Sequence, residues 1–101
     1  MLGCAPSVSI QTGLASYYGA DPVRERLNTH QADGSIFDPN ALTCASWDYP
    51  FGTRLRVCAD RCVTVVVRDR GPNRRFTDRI IDLTPVAFEQ IAPLSQGIVR
   101  V

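Results

Sequence analysis

Two aspartates in this 101-residue chain stand at or near the ends of short apolar runs, where a strand could present a carboxylate. Asp69 follows the β-branched run at residues 63–67, and Asp82 interrupts the run at residues 80–83. Hydrolysis of a glycosidic bond normally uses two carboxyl groups, about 5–5.5 Å apart for retention or about 6.5–9.5 Å for inversion. One carboxyl acid is enough where a hydroxyl of the sugar replaces the attacking water. Because carboxyl groups at strand ends could do such acid/base chemistry, we predict that the functional site lies at these two aspartates, with Asp69 as the catalytic candidate.

Each aspartate also has a purely structural interpretation. Asp69 precedes Gly71 and Pro72, and an aspartate beside such a turn commonly accepts backbone N–H bonds that brace it. Asp82 lies just before Thr84, the predicted N-cap of a helix, where a carboxylate can bind the first amides. In a third interpretation both side chains line a groove and hydrogen-bond sugar hydroxyls without breaking a bond. The residues alone leave all three interpretations open.

Short strands make up most of the pattern along the chain. They are predicted at residues 13–19, 53–57, 63–67, 80–83 and 97–101. The run at 63–67 is apolar enough to be buried on both faces. Many short strands without the spacing of βαβ units predict an all-β domain, a small closed barrel at residues 13–101 behind an N-terminal arm at residues 1–12.

One short helix is predicted among the strands. Thr84 supplies an N-cap hydroxyl and is followed by proline, so the helix is expected over residues 85–91, ahead of a second proline that ends it. Residues 38–40 predict a turn, and this turn is expected to start a single helical turn at residues 41–43.

Four cysteines in so short a chain favour an oxidising compartment: secreted, periplasmic or cell envelope. Cys58 and Cys62 lie between two strand patterns, which predicts a hairpin closed by a disulfide. Cys4 and Cys44 then pair by elimination, unless Cys4 is lipidated, since the opening Met-Leu-Gly-Cys is similar to the end of a lipoprotein signal. A spacing of C-x3-C without a second close Cys/His pair is a poor zinc motif, so we predict no metal.

Charge and hydropathy exclude several classes of partner. The formal net charge is +1, from 11 basic and 10 acidic residues, whereas a nucleic-acid binder is usually clearly basic. No run approaches the roughly 20 apolar residues of a membrane-spanning helix. We predict no nucleic-acid partner, no membrane span and no cofactor.

Six motifs in order carry a family resemblance: GLASYYG, SIFDPNALTCAS, PFGTRLRV, VVVRDRGP, RIIDLTPVAFEQIA and GIVRV. Together they resemble the double-psi β-barrel domains of the rare lipoprotein A type, which are similar in turn to expansin and barwin-like domains. The resemblance covers residues 13–101. It implies a six-stranded double-psi barrel with a polysaccharide groove across one face. Bacterial members act on peptidoglycan, some as lytic transglycosylases, whereas expansins loosen wall polysaccharide without hydrolysing it.

The resemblance assigns roles to individual positions. Asp69, in RDRGP, matches the transglycosylases, but Ser35 stands where they carry a glutamate and Ser46 where they carry a histidine. The two groove aspartates of expansins correspond to Asp69 and Asp82, and a hydroxyl of their first strand corresponds to Ser16. The chain is therefore expected to bind or remodel cell-wall glycan without two of the three active-site residues that the resemblance implies.

Further side chains are candidates for sugar binding. The aromatic rings of Tyr18, Trp47 and Tyr49 could stack on pyranose faces, with Phe51 in the same turn-rich loop as the last two. Arg70 and the arginines near it could receive carboxylates of peptidoglycan, because the guanidinium fork fits a carboxylate. Alternatively, these rings pack in the barrel core and the arginines form a solvated face.

Two rival functions remain from the sequence. In the first the chain is a working lytic transglycosylase that uses Asp69, with His30, the sole histidine, as a displaced acid/base. In the second it is a protein-binding module, such as a protease inhibitor acting through the loop at residues 20–34, or an accessory part of a larger assembly.

Overall fold

The computed structural model describes residues 10–18, 30–73 and 78–101. The strands are β1 (Leu14–Tyr17), β2 (Thr43–Ala45), β3 (Arg54–Cys58), β4 (Cys62–Asp69), β5 (Arg79–Leu83) and β6 (Ile98–Arg100). A single α-helix, α1 (Pro85–Glu89), and a 3-10 helix (Leu94–Gln96) lie between β5 and β6. This architecture confirms the predicted all-β class, with one short α-helix among the described residues. Within the described ranges no helix has the length and apolarity to cross a membrane.

All six strands belong to one mixed sheet in the order β3-β4-β2-β5-β1-β6. β1 pairs parallel with β5, and β2 pairs parallel with β4. The other neighbouring pairs are antiparallel. Because β2 lies between β4 and β5, the strands that carry Asp69 and Asp82 flank the same central strand.

The valine run of β4 is buried on one face. Val63, Val65 and Val67 belong to the core, whereas Thr64 between them is exposed. The expectation of burial on both faces was therefore wrong, because only one side of the sheet packs against the core at this strand. From the helix, Phe88 is 0% exposed and its ring lies 4.9 Å from that of Tyr17.

Two local predictions gave way to tertiary contacts. The helical turn predicted at residues 41–43 does not form; Thr43 instead begins β2, which pairs with β4 on one side and β5 on the other. The Thr84 residue stands at the N-cap, but its hydroxyl makes no capping hydrogen bond. Instead Thr84 Oγ1 donates to the carbonyl oxygen of Ala41 at 2.6 Å, which ties the start of the helix to the segment before β2.

The hairpin disulfide is confirmed: Cys58 and Cys62 are bonded at the tip of β3 and β4. Cys44 is a free thiol in the core, and burial raises its pKa to about 12, so the sulfur stays protonated and unreactive at neutral pH. The predicted bridge between Cys44 and Cys4 is therefore not formed in this structure. Cys4 itself lies outside the described residues, and its lipidation stays a prediction. Most of the proposed inhibitory loop, residues 20–29, and the two arginines at 74 and 75 also lie outside the described residues.

Candidate functional site

Three of the predicted site residues lie in one row across the sheet. Ala45 of β2 is the register partner of Asp69 on one side and of Asp82 on the other. Asp82 is in turn opposite Ser16 of β1. With neighbouring strands about 4.8 Å apart, the backbones of the two aspartates are separated by about 10 Å. The topology therefore brings together side chains that are distant along the chain.

A register shift sets the position of Asp69 in this row. Cys44 is opposite Val67, but the next residue, Ala45, is opposite Asp69, so Arg68 is passed over. An extra residue of this kind bends the strand and re-aims the side chains that follow it. The shift therefore brings Asp69, rather than Arg68, level with Ala45.

The carboxylate of Asp69 is held at one oxygen and open at the other. Oδ1 accepts hydrogen bonds from the backbone N–H groups of Ala32 at 2.9 Å and Arg70 at 2.8 Å. Within the described residues no hydrogen bond reaches Oδ2. Thr43 Oγ1 is the sole buried side-chain polar atom without a partner in that part of the chain, so Oδ2 is accessible to solvent. Asp69 thus braces a turn through Oδ1, while Oδ2 has no hydrogen-bond partner among the described residues.

Arg70, the next residue, directs its guanidinium to the loop that follows β2. Its Nη1 donates to the carbonyl oxygens of Ser46 and Tyr49, each at 2.8 Å. The guanidinium carbon lies 3.9 Å from the centre of the Phe51 ring. Arg70 therefore fastens the loop after β2 to the end of β4.

The turn at residues 31–35 docks on the end of β4 next to Asp69. The N–H of Asp33 donates to the carbonyl oxygen of Arg68 at 3.1 Å, and the two side chains form an ion pair at 3.4 Å. Ser35, at the position of the family glutamate, donates its backbone N–H and its hydroxyl to Asp33 Oδ1. The hydroxyl hydrogen bond from Ser35, with a further contribution from Arg68, lowers the pKa of Asp33, so this group is a carboxylate at neutral pH.

Tyr18 joins this turn to the site. Its hydroxyl donates to Gln31 Oε1 at 3.2 Å, and its ring lies 4.8 Å from the ring of Phe37. Burial, followed by the negative charge of Asp69, raises the pKa of Tyr18 well above its usual range. The phenol therefore stays neutral and remains a hydrogen-bond donor near Asp69.

Asp82 is committed to side-chain partners. Ser16 Oγ donates to Asp82 Oδ1, and Arg79 Nη1 lies 3.7 Å from the same oxygen while donating to Ser16 Oγ at 2.6 Å. The Asp82 side chain is only 7% exposed. Its partners are side chains of β1 and β5, not the helix-start amides considered above.

Gly71 lies over the row between the two aspartates. A Cβ atom at this glycine would be 3.5 Å from Ala45 Cβ and 3.8 Å from Asp82 Oδ2. The loop after β4 thus passes close to Asp82 and covers Ala45.

The aromatic candidates separate into exposed and packed rings. Trp47 is 50% exposed, and its indole N–H donates to the carbonyl oxygen of Pro72 at 2.7 Å, which fixes the ring near the end of β4. Phe51, named from the sequence among the aromatic rings of this turn-rich loop, is 42% exposed and lies against Arg70. Tyr49 packs partly against the core.

Ser46, at the position of the family histidine, is buried. Its hydroxyl accepts a hydrogen bond from the backbone N–H of Asp48 at 3.2 Å, and its own N–H donates to the carbonyl oxygen of Asp69 at 3.0 Å. Ser46 and Tyr49 also line a cavity of about 540 Å³ with apolar residues of β3 and β5. Ser46 thus supports the backbone around Asp69.

Asp33→Asn is expected to lower the stability of the folded chain by about 0.5–1 kcal/mol at pH 7, the range of a partly exposed ion pair. A depressed folded-state pKa stabilises the fold above the unfolded pKa of about 3.9, and this contribution is lost as the pH falls through the folded value. Urea denaturation of both proteins should therefore show a gap in stability at pH 7 that is smaller at pH 3. A gap of equal size at both pH values would mean that the charge of Asp33 has no part in it.

Comparison with known proteins shows what the chain resembles. Residues 10–101 match the family model described as lytic transglycolase, of the double-psi β-barrel type. A probable endolytic peptidoglycan transglycosylase RlpA from Nostoc sp. is 38% identical over 92 residues, which is 88% of this chain and 24% of that protein. The endolytic peptidoglycan transglycosylase RlpA of Yersinia pestis is 44% identical over 85 residues, 80% of this chain and 22% of that protein. The chain thus spans about a quarter of the length of these relatives.

A solved structure is similar over nearly the whole fold. The Streptomyces papain inhibitor superposes with a TM-score of 0.66 at 30% sequence identity. The match covers 88% of this chain and 86% of the inhibitor. The similarity therefore extends to a protein of comparable length with a different described activity.

Proposed function

Because the chain belongs to the lytic transglycolase family of double-psi β-barrel domains, we propose that it is a secreted or envelope-located domain that engages the glycan of peptidoglycan at Asp69. The observation that carries this proposal is the difference between the two carboxylate oxygens of Asp69. Oδ1 is held by two backbone amides, so the side chain is oriented in advance, while Oδ2 stays open for a sugar hydroxyl. The curated relatives named for peptidoglycan transglycosylase activity support the choice of glycan.

The proposed mode of action is binding and remodelling with little or no bond cleavage. Ser35 and Ser46 replace the glutamate and histidine that the family resemblance implies. The Ser35 hydroxyl is engaged by Asp33, and Ser46 is buried. A serine hydroxyl does not exchange protons at neutral pH as a carboxyl or imidazole group does. Asp82 is held in its own buried network with Ser16 and Arg79, so it is not available to Asp69 as a second carboxylate.

The proposal is tested by incubating the purified protein with isolated sacculi. We expect the protein to sediment with them, and the muropeptides released afterwards to contain no more anhydro ends than a buffer control. Anhydro products that disappear in Asp69→Asn would replace this proposal by the active lytic transglycosylase. Failure to sediment with sacculi would reject glycan engagement itself.

Protease inhibition is the second candidate function. The Streptomyces papain inhibitor favours it, since that structure matches almost the full length of both chains. An inhibitor of this kind would slow papain in a peptidase assay without sedimenting with sacculi. Substitution of Asp69 would then leave the inhibition unchanged. The two assays together distinguish a glycan-binding domain from a protein ligand.

A further inference from the structure

The guanidinium of Arg70 is anchored through one nitrogen. Nη1 donates to the carbonyl oxygens of Ser46 and Tyr49, both at 2.8 Å, which uses its two hydrogens. A guanidinium has five N–H donors, so three remain, on Nε and Nη2. The Phe51 ring, 3.9 Å from the guanidinium carbon, supports one face of the group. The arginine is held in place without using its remaining donors.

Those remaining donors are not fully buried. No hydrogen bond from Nε or Nη2 of Arg70 is found in the described part of the chain. A fully buried side-chain nitrogen without a hydrogen bond would be an unsatisfied polar atom. Among the described residues, Thr43 Oγ1 is the sole atom of that kind. Nε and Nη2 present two parallel N–H groups, the edge of arginine that binds a carboxylate through two hydrogen bonds. Arg70 therefore offers a fixed, open fork.

Exposed aromatic rings lie next to this fork. Trp47 follows Ser46, whose carbonyl oxygen receives Arg70, and it is 50% exposed. Phe51 is 42% exposed and lies against the guanidinium itself. The backbone N–H of Arg70 donates to Asp69 Oδ1, so the candidate hydroxyl-binding oxygen is on the adjacent residue. Apolar ring faces beside a cation suit a sugar that carries an acidic substituent.

We infer that Arg70 forms a carboxylate-binding subsite next to Asp69, which selects glycan strands with a free carboxylate over neutral strands of the same backbone. This inference rests on the proposed glycan engagement at Asp69. In peptidoglycan the carboxylate has two sources: the lactyl ether of muramic acid where no peptide is attached, and the stem peptide where one is. Both present the same planar anion to the Nε–Nη2 edge.

The test varies the ligand and keeps the protein intact. Dissociation constants are measured by calorimetry for four soluble ligands of matched length: peptide-free peptidoglycan strands, the same strands with their carboxylates amidated, strands that retain stem peptides, and chitooligosaccharides. We expect wild-type protein to bind peptide-free strands roughly tenfold more tightly than amidated strands or chitooligosaccharides, as two charge-assisted hydrogen bonds would require. Tighter binding of peptide-bearing strands that amidation abolishes would support the subsite and assign the carboxylate to the peptide.

Two results would overturn the inference, and only one of them would also reject glycan engagement at Asp69. If amidated and untreated strands bind wild type equally well, the subsite is wrong while glycan engagement at Asp69 survives. If no glycan binds, both are wrong. Arg70→Lys keeps the charge but loses the fork, so it should reduce the preference for untreated strands. Because Arg70 also fastens the loop at residues 46–51, circular dichroism must first establish that this variant is folded.

Discussion

Asp69→Asn is expected to bind sacculi at least about tenfold more weakly than the wild type while keeping nearly the same stability. An asparagine carbonyl can still accept from the two amides that hold Oδ1, those of Ala32 and Arg70. The open oxygen is replaced by an NH2 group, which removes the charge and the acceptor that a sugar hydroxyl would use. Sedimentation with increasing amounts of sacculi gives the affinity, and urea denaturation gives the stability.

Two further variants make this experiment decisive. Asp60→Asn makes the same change in charge at the hairpin tip, the opposite end of β4 from Asp69, and should bind sacculi as the wild type does. Asp69→Ala leaves both amides without their acceptor, so it should cost about 1–3 kcal/mol of stability. If Asp69→Asn binds like the wild type, the carboxylate serves only to brace the turn at residues 31–35, and the proposed site is wrong.

Phe88→Ala is expected to destabilise the domain by about 3–5 kcal/mol, a large share of the roughly 5–15 kcal/mol typical of a single domain. Phe88 is 0% exposed and is among the largest fully buried side chains in the described residues. Its removal leaves a cavity beneath α1 and abolishes the ring contact with Tyr17. Thermal and urea unfolding would measure the loss.

Phe51→Ala is the matched control for this core substitution. It makes the same chemical change at a ring that is 42% exposed, so its effect on stability should stay near 1 kcal/mol or below. Equal losses in the two variants would show that the core is not organised around α1 as described.

Local sequence patterns predicted the elements that are determined by residues close together in the chain. A run of β-branched residues marks β4, and a cysteine spaced four residues from another marks the bridged hairpin. β2 was missed because its three residues follow a turn and have no alternation of their own; they are extended because β4 and β5 pair with them on both sides. Strand pairing of this kind depends on distant segments that no local window contains.

The same distinction applies to the site. Residue types alone identified Asp69 and Asp82 as carboxylates at strand ends, and the family motifs assigned them to a glycan groove. Only the fold decided how differently the two are used. The Asp82 side chain is buried and accepts a hydrogen bond from Ser16, which lies 66 positions away along the chain.

The sequence by itself determined the all-β class, the hairpin disulfide, the helix after Thr84 and the family, because each follows from residue identity at short spacing. Tertiary structure alone decided that Asp69 keeps one oxygen open. The register shift in β2 and β4 and the amide of Ala32, 37 residues distant, set that geometry. Hydrogen-bond partners brought together by chain topology carry no signal in the neighbouring residues.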